Sequence, residues 1–321
     1  MRMGDTVTFG GGGLDRAAHL REQVGKGPHL LADAEATGIA IWRGKPLFAG
    51  TDKTRLVRLP VGHDIFATAT ESPVFLGLAE HRALFAFDVS EWSPDHLPGT
   101  GDAILDSDEI RAPDLPPDHR FADLRAHMAA LSPLDAELAA TAKSILVWHL
   151  NHGFCAKCGA RSRITMAGWQ RDCPECGTHH FPRVDPVVIM LITHGNNVLL
   201  GRSPGWPERV FSLLAGYVEP GETVEAAVRR EVLEEAGIRV RQVAYLASQP
   251  WPYTSSLMIG CKGAAQNAEI CIDSSEIDAA LWISREDLIE VFAGRNDTIM
   301  PPRRGSIAYF LLQNWLADRL D

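Results

Sequence analysis

The pattern of apolar and polar positions changes along the chain, and each change marks a boundary. Residues 1–30 show little periodicity and a glycine run from Gly10 to Gly13, which predicts a flexible leader. From 31 to 120 short apolar runs alternate with turn residues. Ile39 to Trp42 and Pro46 to Phe48 flank Arg43-Gly44-Lys45, while Val74 to Ala79 and Ala83 to Val89 flank Glu80-His81-Arg82. Two hairpins of a small, mainly β domain are expected. Residues 93–119 hold five prolines and several aspartates and predict an extended connection. A helical connection follows over 121–152, with one helix starting at Phe121 and an alanine-rich one running from Leu134 to Leu150.

A cysteine-bearing stretch occupies 153–182, and the rest, 183–321, alternates strand and helix patterns. Val187 to Thr193 is a continuous apolar run, His194 to Asn197 a turn, and Val198 to Gly201 the returning strand. Val210 to Ala215, Val240 to Ala247, Ser256 to Lys262 and Ala279 to Ile283 read as further strands, with helices from Ser284 and from the N-cap Ser306 through Trp315. The fold class is therefore α/β (α+β): helices flanking a mixed sheet, preceded by the smaller β-rich domain.

The helix ending at Gly237 has an acidic row in an apolar phase. Val224, Val228, Glu231 and Glu235 fall at i, i+4, i+7 and i+11, so the row that faces the core delivers carboxylates inward. Glu234 lies beside them. Carboxylates about 6 Å apart repel by about 3 kcal/mol at an effective dielectric of about 20, so a partly buried cluster needs a cation. Oxygen-only ligands suit Mg²⁺ or Mn²⁺ bridging to substrate phosphates.

Cys155-x-x-Cys158 and Cys173-x-x-Cys176 are separated by fourteen residues, with a glycine after each pair. Four thiolates at this spacing match a closed tetrahedral zinc site of structural type, and the doubling of the motif argues against redox pairs. Binding of about 10 to 16 kcal/mol would then stabilise a module too small for its own core. Arg161, Arg163 and Arg171 in this stretch are compatible with nucleic-acid contact but are few.

Length and charge narrow the classes. A chain of 321 residues with 45% apolar content accommodates two cores, and a net charge of -10 argues against a protein that mainly grips nucleic acid. The sequence shows no membrane-length apolar run and no signal-type start, so a cytoplasmic protein without membrane attachment is expected.

Gly216, five residues, Glu222, seven residues, then Arg230-Glu231-Val232-Leu233-Glu234-Glu235-Ala236-Gly237-Ile238 resembles the Nudix box at every defined position. Ser248-Gln249-Pro250-Trp251-Pro252-Tyr253-Thr254-Ser255-Ser256 resembles the array that marks the NADH pyrophosphatase branch, with Tyr253 in place of phenylalanine and Thr254 in place of a third proline. Read alone, this array is a proline-stiffened loop that either presents a flat ring to a ligand or packs that ring on the core. Trp148-His149-x-x-His152-x-Phe154-Cys155 resembles the branch's entry into its zinc ribbon.

The resemblance implies a metal-dependent hydrolase that splits the pyrophosphate of NADH or NAD⁺ into nicotinamide mononucleotide and AMP, with removal of NAD caps from RNA 5′ ends as a related activity. It implies catalytic metal ligands at Glu231, Glu235, Glu276 and the carbonyl of Ala215, with Glu234 as an additional candidate. Glu234 or Glu235 would handle the attacking water, and Arg230 and Glu222 would hold loop and helix in register. Tyr217 and Phe181 match base-stacking positions, Phe181 reaching across a homodimer interface, and Ala308 matches a substrate-contacting position. The alternatives are a pyrophosphatase of ADP-ribose or dinucleoside polyphosphates and, without catalysis, a zinc-ribbon nucleotide-sensing regulator.

Overall fold

The structure is a computed structural model that describes residues 3–26, 30–50, 52–92, 109–111 and 115–320. The chain forms two compact units. One comprises Met1–Thr8, Val184–Trp251 and Ser256–Asp321, and the other Phe9–Arg183 and Pro252–Ser255. They are called here the C-terminal and N-terminal units.

The N-terminal unit contains α1 (Arg21–Lys26), a sheet of β1 (Thr37–Trp42), β2 (Lys45–Ala49), β3 (Arg55–Leu56), β4 (Leu59–Pro60), β5 (Val74–Ala79), β6 (Arg82–Asp88) and β7 (Arg120–Phe121), then α2 (Leu124–His127) and α3 (Pro133–Asn151). Both expected hairpins are present, β1 with β2 and β5 with β6. They are joined by a parallel pairing of β1 with β6, which no local pattern announces. Phe66 and Phe87 stack within the core with centroids 4.1 Å apart, and Gly38 lies against both rings, where a Cβ would sit 2.6 Å from Phe66. Ser132 caps α3, accepting from Asp135 N at 3.1 Å, with proline in the first turn. Most of the proline-rich connection expected at 93–119 lies outside the described residues.

The expected leader is not free of structure. Val7 and Phe9 are buried, and Asp15 bridges to Leu78 through both backbone groups. Isolated apolar residues bury one at a time here, so no periodicity announces them.

The zinc-ribbon region carries β8 (Arg163–Thr165), β9 (Gln170–Asp172) and β10 (His179–His180), paired in the order β10-β9-β8. The C-terminal unit then has β11 (Asp185–His194), β12 (Asn197–Arg202), β13 (Leu214–Tyr217), α4 (Val224–Ala236), β14 (Val240–Trp251), β15 (Ser256–Ala265), β16 (Ala279–Ser284), α5 (Arg285–Phe292) and α6 (Ile307–Leu316). Its mixed sheet runs β14-β15-β11-β12-β16, with β13 also on β11 and only β11 and β15 parallel. Alternate residues of β11 divide the core. Val188, Met190 and Ile192 pack with α4, whereas Ile189 and Leu191 pack with α5 and α6. The expected sandwich is thus observed. Among the described residues no helix is long and apolar enough to cross a membrane.

The expected proline-stiffened loop at 248–256 is shorter than the sequence suggests. Ser248 to Trp251 continue β14, and only Pro252–Ser255 make the turn into β15. Proline is tolerated because β14 is an edge strand, where an absent N–H leaves no ladder bond unmade.

Candidate active site and zinc centre

Helix α4 is capped at both ends. Thr223 Oγ1 accepts from Ala226 N at 3.2 Å, and Gly237 closes the helix at φ 68, its N–H donating to Leu233 O at 2.9 Å. Ala227, Val228, Val232 and Ala236 are fully buried, and this phase carries Glu231 and Glu235 inward until each is only 8% exposed. The chain after β15 returns to the end of the same helix. Cys271 N donates to Ala236 O at 2.9 Å and Asp273 N to Glu235 O at 3.2 Å. This return places Glu276 beside the helix, and oxygens of Glu231, Glu235 and Glu276 all lie within 4.8 Å of one another.

Gly216 in β13 makes room for the cluster. A Cβ there would lie 1.9 Å from Glu231 Cδ, so only glycine lets the carboxylate approach the strand. Its neighbour Ala215 pairs with Ile189, and Tyr217 at the strand end is 61% exposed.

Arg230 gathers the surrounding groups. It binds Glu222 through two bonds of 2.9 Å and reaches Glu231 at 2.8 Å, Glu234 at 3.1 Å and the Tyr217 carbonyl at 2.9 Å. The bidentate guanidinium holds Glu222 below the usual carboxylate range. Glu231 is raised by burial despite Arg230. Glu235 is raised further, to about 8, by burial first and then by Glu231, Glu276 and Glu234. Its buried Oε2 has no hydrogen-bond partner among the described residues. Three converging carboxylates with an orphaned buried oxygen fit a hard divalent cation. Glu234 is half-exposed, bound to Arg230 and outside this three-residue cluster.

The four cysteines of the ribbon converge in the same way. Cys155 and Cys176 sulfurs lie 3.6 Å apart, those of Cys158 and Cys173 3.4 Å, and all four fall within 4.8 Å of one another. A tetrahedron of Zn–S bonds has edges of about 3.8 Å, so these donors fit zinc. Both knuckles use glycine at positive φ, Gly159 at 79 and Gly177 at 70. Arg171 is buried and therefore not placed for nucleic acid. It donates to Ser162 Oγ at 2.8 Å, Ser162 O at 3.0 Å and His149 Nδ1 at 3.1 Å. Burial, then Arg171, lowers His149 to about 4, so the neutral ring donates from Nε2 to Gly168 O at 2.9 Å. This bracket between α3 and the ribbon was not assigned from sequence, although His149 stands in the quoted entry motif.

The remaining array residues have varied surroundings. Gln249 is fully buried. Its Nε2 donates to Thr8 O at 3.1 Å and Gly305 O at 2.8 Å, and its Oε1 accepts from Ile307 N at 2.8 Å. That side chain is committed to backbone rather than to a ligand. Ala308 is likewise buried, in the first turn of α6. Pro250 is exposed, Trp251 half-buried, Pro252 buried, Thr254 exposed, and Ser255 and Ser256 half-buried. Tyr253 packs in the N-terminal unit beneath Arg125, 4.2 Å from its ring centroid, with Lys143 Nζ at 5.6 Å. Phe181, also of the N-terminal unit, is 66% exposed.

A helix carrying inward carboxylates, a glycine-bearing strand against them and a sheet covered on both faces define a class. The chain belongs to the Nudix hydrolase family, with the NUDIX domain model matching residues 182–302. Two further models match ahead of it, the NADH pyrophosphatase-like rudimentary NUDIX domain at 35–148 and the NADH pyrophosphatase zinc ribbon domain at 150–181. The chain is 38% identical over 216 residues to the NAD-capped RNA hydrolase NudC of Mycobacterium bovis, covering 65% of this chain and 68% of that protein. It is 38% identical over 212 residues to the enzyme of the same name from Stutzerimonas stutzeri, covering 66% and 73%. To the NAD-capped RNA hydrolase NUDT12 of Homo sapiens it is 44% identical over 197 residues, 58% of this chain, and it spans 43% of that relative's length.

Proposed function

We propose that this protein hydrolyses the pyrophosphate of NADH and NAD⁺ to nicotinamide mononucleotide and AMP, and removes NAD caps from RNA 5′ ends. The observation that carries the reading is the convergence of Glu231, Glu235 and Glu276 around an unpartnered buried oxygen, in a chain whose relatives are named for NAD-cap hydrolysis. Glu231, Glu235, Glu276 and the Ala215 carbonyl would hold Mg²⁺ or Mn²⁺. Such ions neutralise a diphosphate and lower the pKa of bound water. The protein's own contribution is positional. Arg230 fixes Glu231 against Gly216 and ties the loop before α4 through Glu222, while Glu234 and Glu235 are the carboxylates available to orient the attacking water. Tyr217, exposed one residue beyond Gly216, is available for base stacking. The half-buried Trp251 edges the same strand array. Exposed Phe181, Phe154 and Leu150 on the N-terminal unit support pairing of two copies, and the cytoplasm is the expected compartment.

A product-resolved assay tests the reading. With Mg²⁺ or Mn²⁺ the protein should release nicotinamide mononucleotide from NADH, NAD⁺ and NAD-capped RNA, and Glu235→Gln should abolish this. Cleavage of ADP-ribose alone would instead establish the ADP-ribose pyrophosphatase alternative.

A further inference from the structure

The sequence has eight tryptophans, and Trp206 is the only one among the exposed large hydrophobic residues, at 42% exposure. Trp42, Trp92, Trp148, Trp282 and Trp315 have ring or cation contacts, Trp169 donates to Phe75 O, and Trp251 is half-buried. Among the described residues, no ring or cation partner is recorded for Trp206.

The loop that carries it is held in shape. It leaves β12 after Arg202, runs Ser203-Pro204-Gly205-Trp206-Pro207-Glu208-Arg209, and leads on to β13. Gly205 takes φ 78, and two prolines flank the glycine-tryptophan pair. Trp206 N donates to Ser203 O at 3.2 Å and Val210 N to Pro207 O at 2.9 Å, while Arg202 Nη1 spans the base to Glu208 O at 2.9 Å. An aromatic on a pre-shaped loop loses little conformational freedom when it binds.

Backbone bonds tie the loop to the segment that carries Glu276 at its root and to Met300 at its far end, where Met300 N donates to Arg209 O at 2.7 Å. At its root, Asp278 N donates to Arg202 O at 2.8 Å, two residues beyond Glu276. Past its other end, β13 brings Gly216 against Glu231 and exposes Tyr217. Thus the loop of Trp206 is rooted on the segment that follows Glu276, and Tyr217 follows the glycine that abuts Glu231. Arg202 Nε is buried at this root without a hydrogen-bond partner, 4.0 Å from Asp278 Oδ2. A substrate with an aromatic ring on each side of its pyrophosphate needs a platform at each end.

We propose that Trp206 is a specificity residue that stacks one ring of the dinucleotide while Tyr217 stacks the other. The inference rests on the dinucleotide reading of the site. NADH has both rings and ADP-ribose lacks the nicotinamide, so the pair separates the two platforms. Trp206→Ala and Tyr217→Ala should each raise KM for NADH about tenfold with kcat within about twofold, as expected for one lost stacked ring. With ADP-ribose only one of the two variants should lose affinity. Trp206→Phe should restore most of the Trp206→Ala loss, and an unchanged thermal midpoint would set aside unfolding. The idea is overturned if Trp206→Ala leaves KM for NADH unchanged, or if both variants behave alike on ADP-ribose. Should the wild-type protein cleave ADP-ribose but not NADH, the functional reading itself fails; normal NADH cleavage with an indifferent Trp206→Ala removes the stacking role alone.

Discussion

Replacing Gly216 with alanine separates the fold of this domain from its metal chemistry. The added Cβ would lie 1.9 Å from Glu231 Cδ and 2.1 and 2.2 Å from its two oxygens, whereas real Cβ contacts essentially never fall below 3.0 Å. Backbone φ at Gly216 is not in the left-handed region, so alanine brings no strain there. The flexible end of Glu231 must instead retreat by at least about 1 Å, leaving the cluster with Glu235 and Glu276 and its 2.8 Å bond from Arg230. Misplacement of a reacting group by about 1 Å costs about 100-fold, equivalent to about 2.7 kcal/mol of barrier. The expected result is a kcat/KM on NADH about 100-fold below wild type, a weaker Mn²⁺ affinity by calorimetry, and a thermal midpoint within a few degrees of wild type. A Gly216→Ala protein that kept kcat/KM within about threefold, with unaltered Mn²⁺ affinity, would refute the claim that this glycine seats Glu231.

Two other outcomes follow from the site. In metal-free protein Glu235 is pushed to about 8, above its ordinary value of 4.5, so the folded state holds that proton more tightly than the unfolded state. The associated stability is complete below about pH 4.5 and is lost as pH rises through about 8; in EDTA the thermal midpoint should fall across this window, and Glu235→Gln should flatten the fall. Equal slopes for the two proteins would count against the buried-carboxylate account. Cys173→Ser should lose bound zinc by elemental analysis and hydrogen-exchange protection over 150–181. Retention of about one zinc per chain by the variant would remove Cys173 from the ligand set.

Local signals in the chain carried much of this structure, and long-range commitments carried the rest. The hairpins of β1 with β2 and β5 with β6 were legible because turn residues interrupt short apolar runs, but their parallel joint depends on residues far apart in sequence. The inward phase of Glu231 and Glu235 was readable from α4 alone. Glu276 was not, because its approach depends on Cys271 and Asp273 bonding the end of that helix. Prolines at 250 and 252 argued for a loop, yet edge position allowed β14 to run through Pro250 to Trp251. Polarity alone could not distinguish a ligand-facing Gln249 from one consumed by backbone groups, and composition could not show that Arg171 is buried beside His149. Trp206 carries no periodic signal, and its distinction emerges only when the surroundings of the other tryptophans are known.

The buried amide of Gln249 has a practical consequence for anyone who edits this protein. It stitches the carbonyl of Thr8 to the first turn of α6, through Gly305 O and Ile307 N. Trimming the first eight residues, an ordinary choice for a stretch so poor in pattern, would strip an acceptor from a group sealed away from water. The penalty for such an orphan is about 1 to 3 kcal/mol. It would fall on the joint that fixes Ala308 and the start of α6, so a shortened protein is expected to melt below the full chain and to lose hydrogen-exchange protection first at the start of α6.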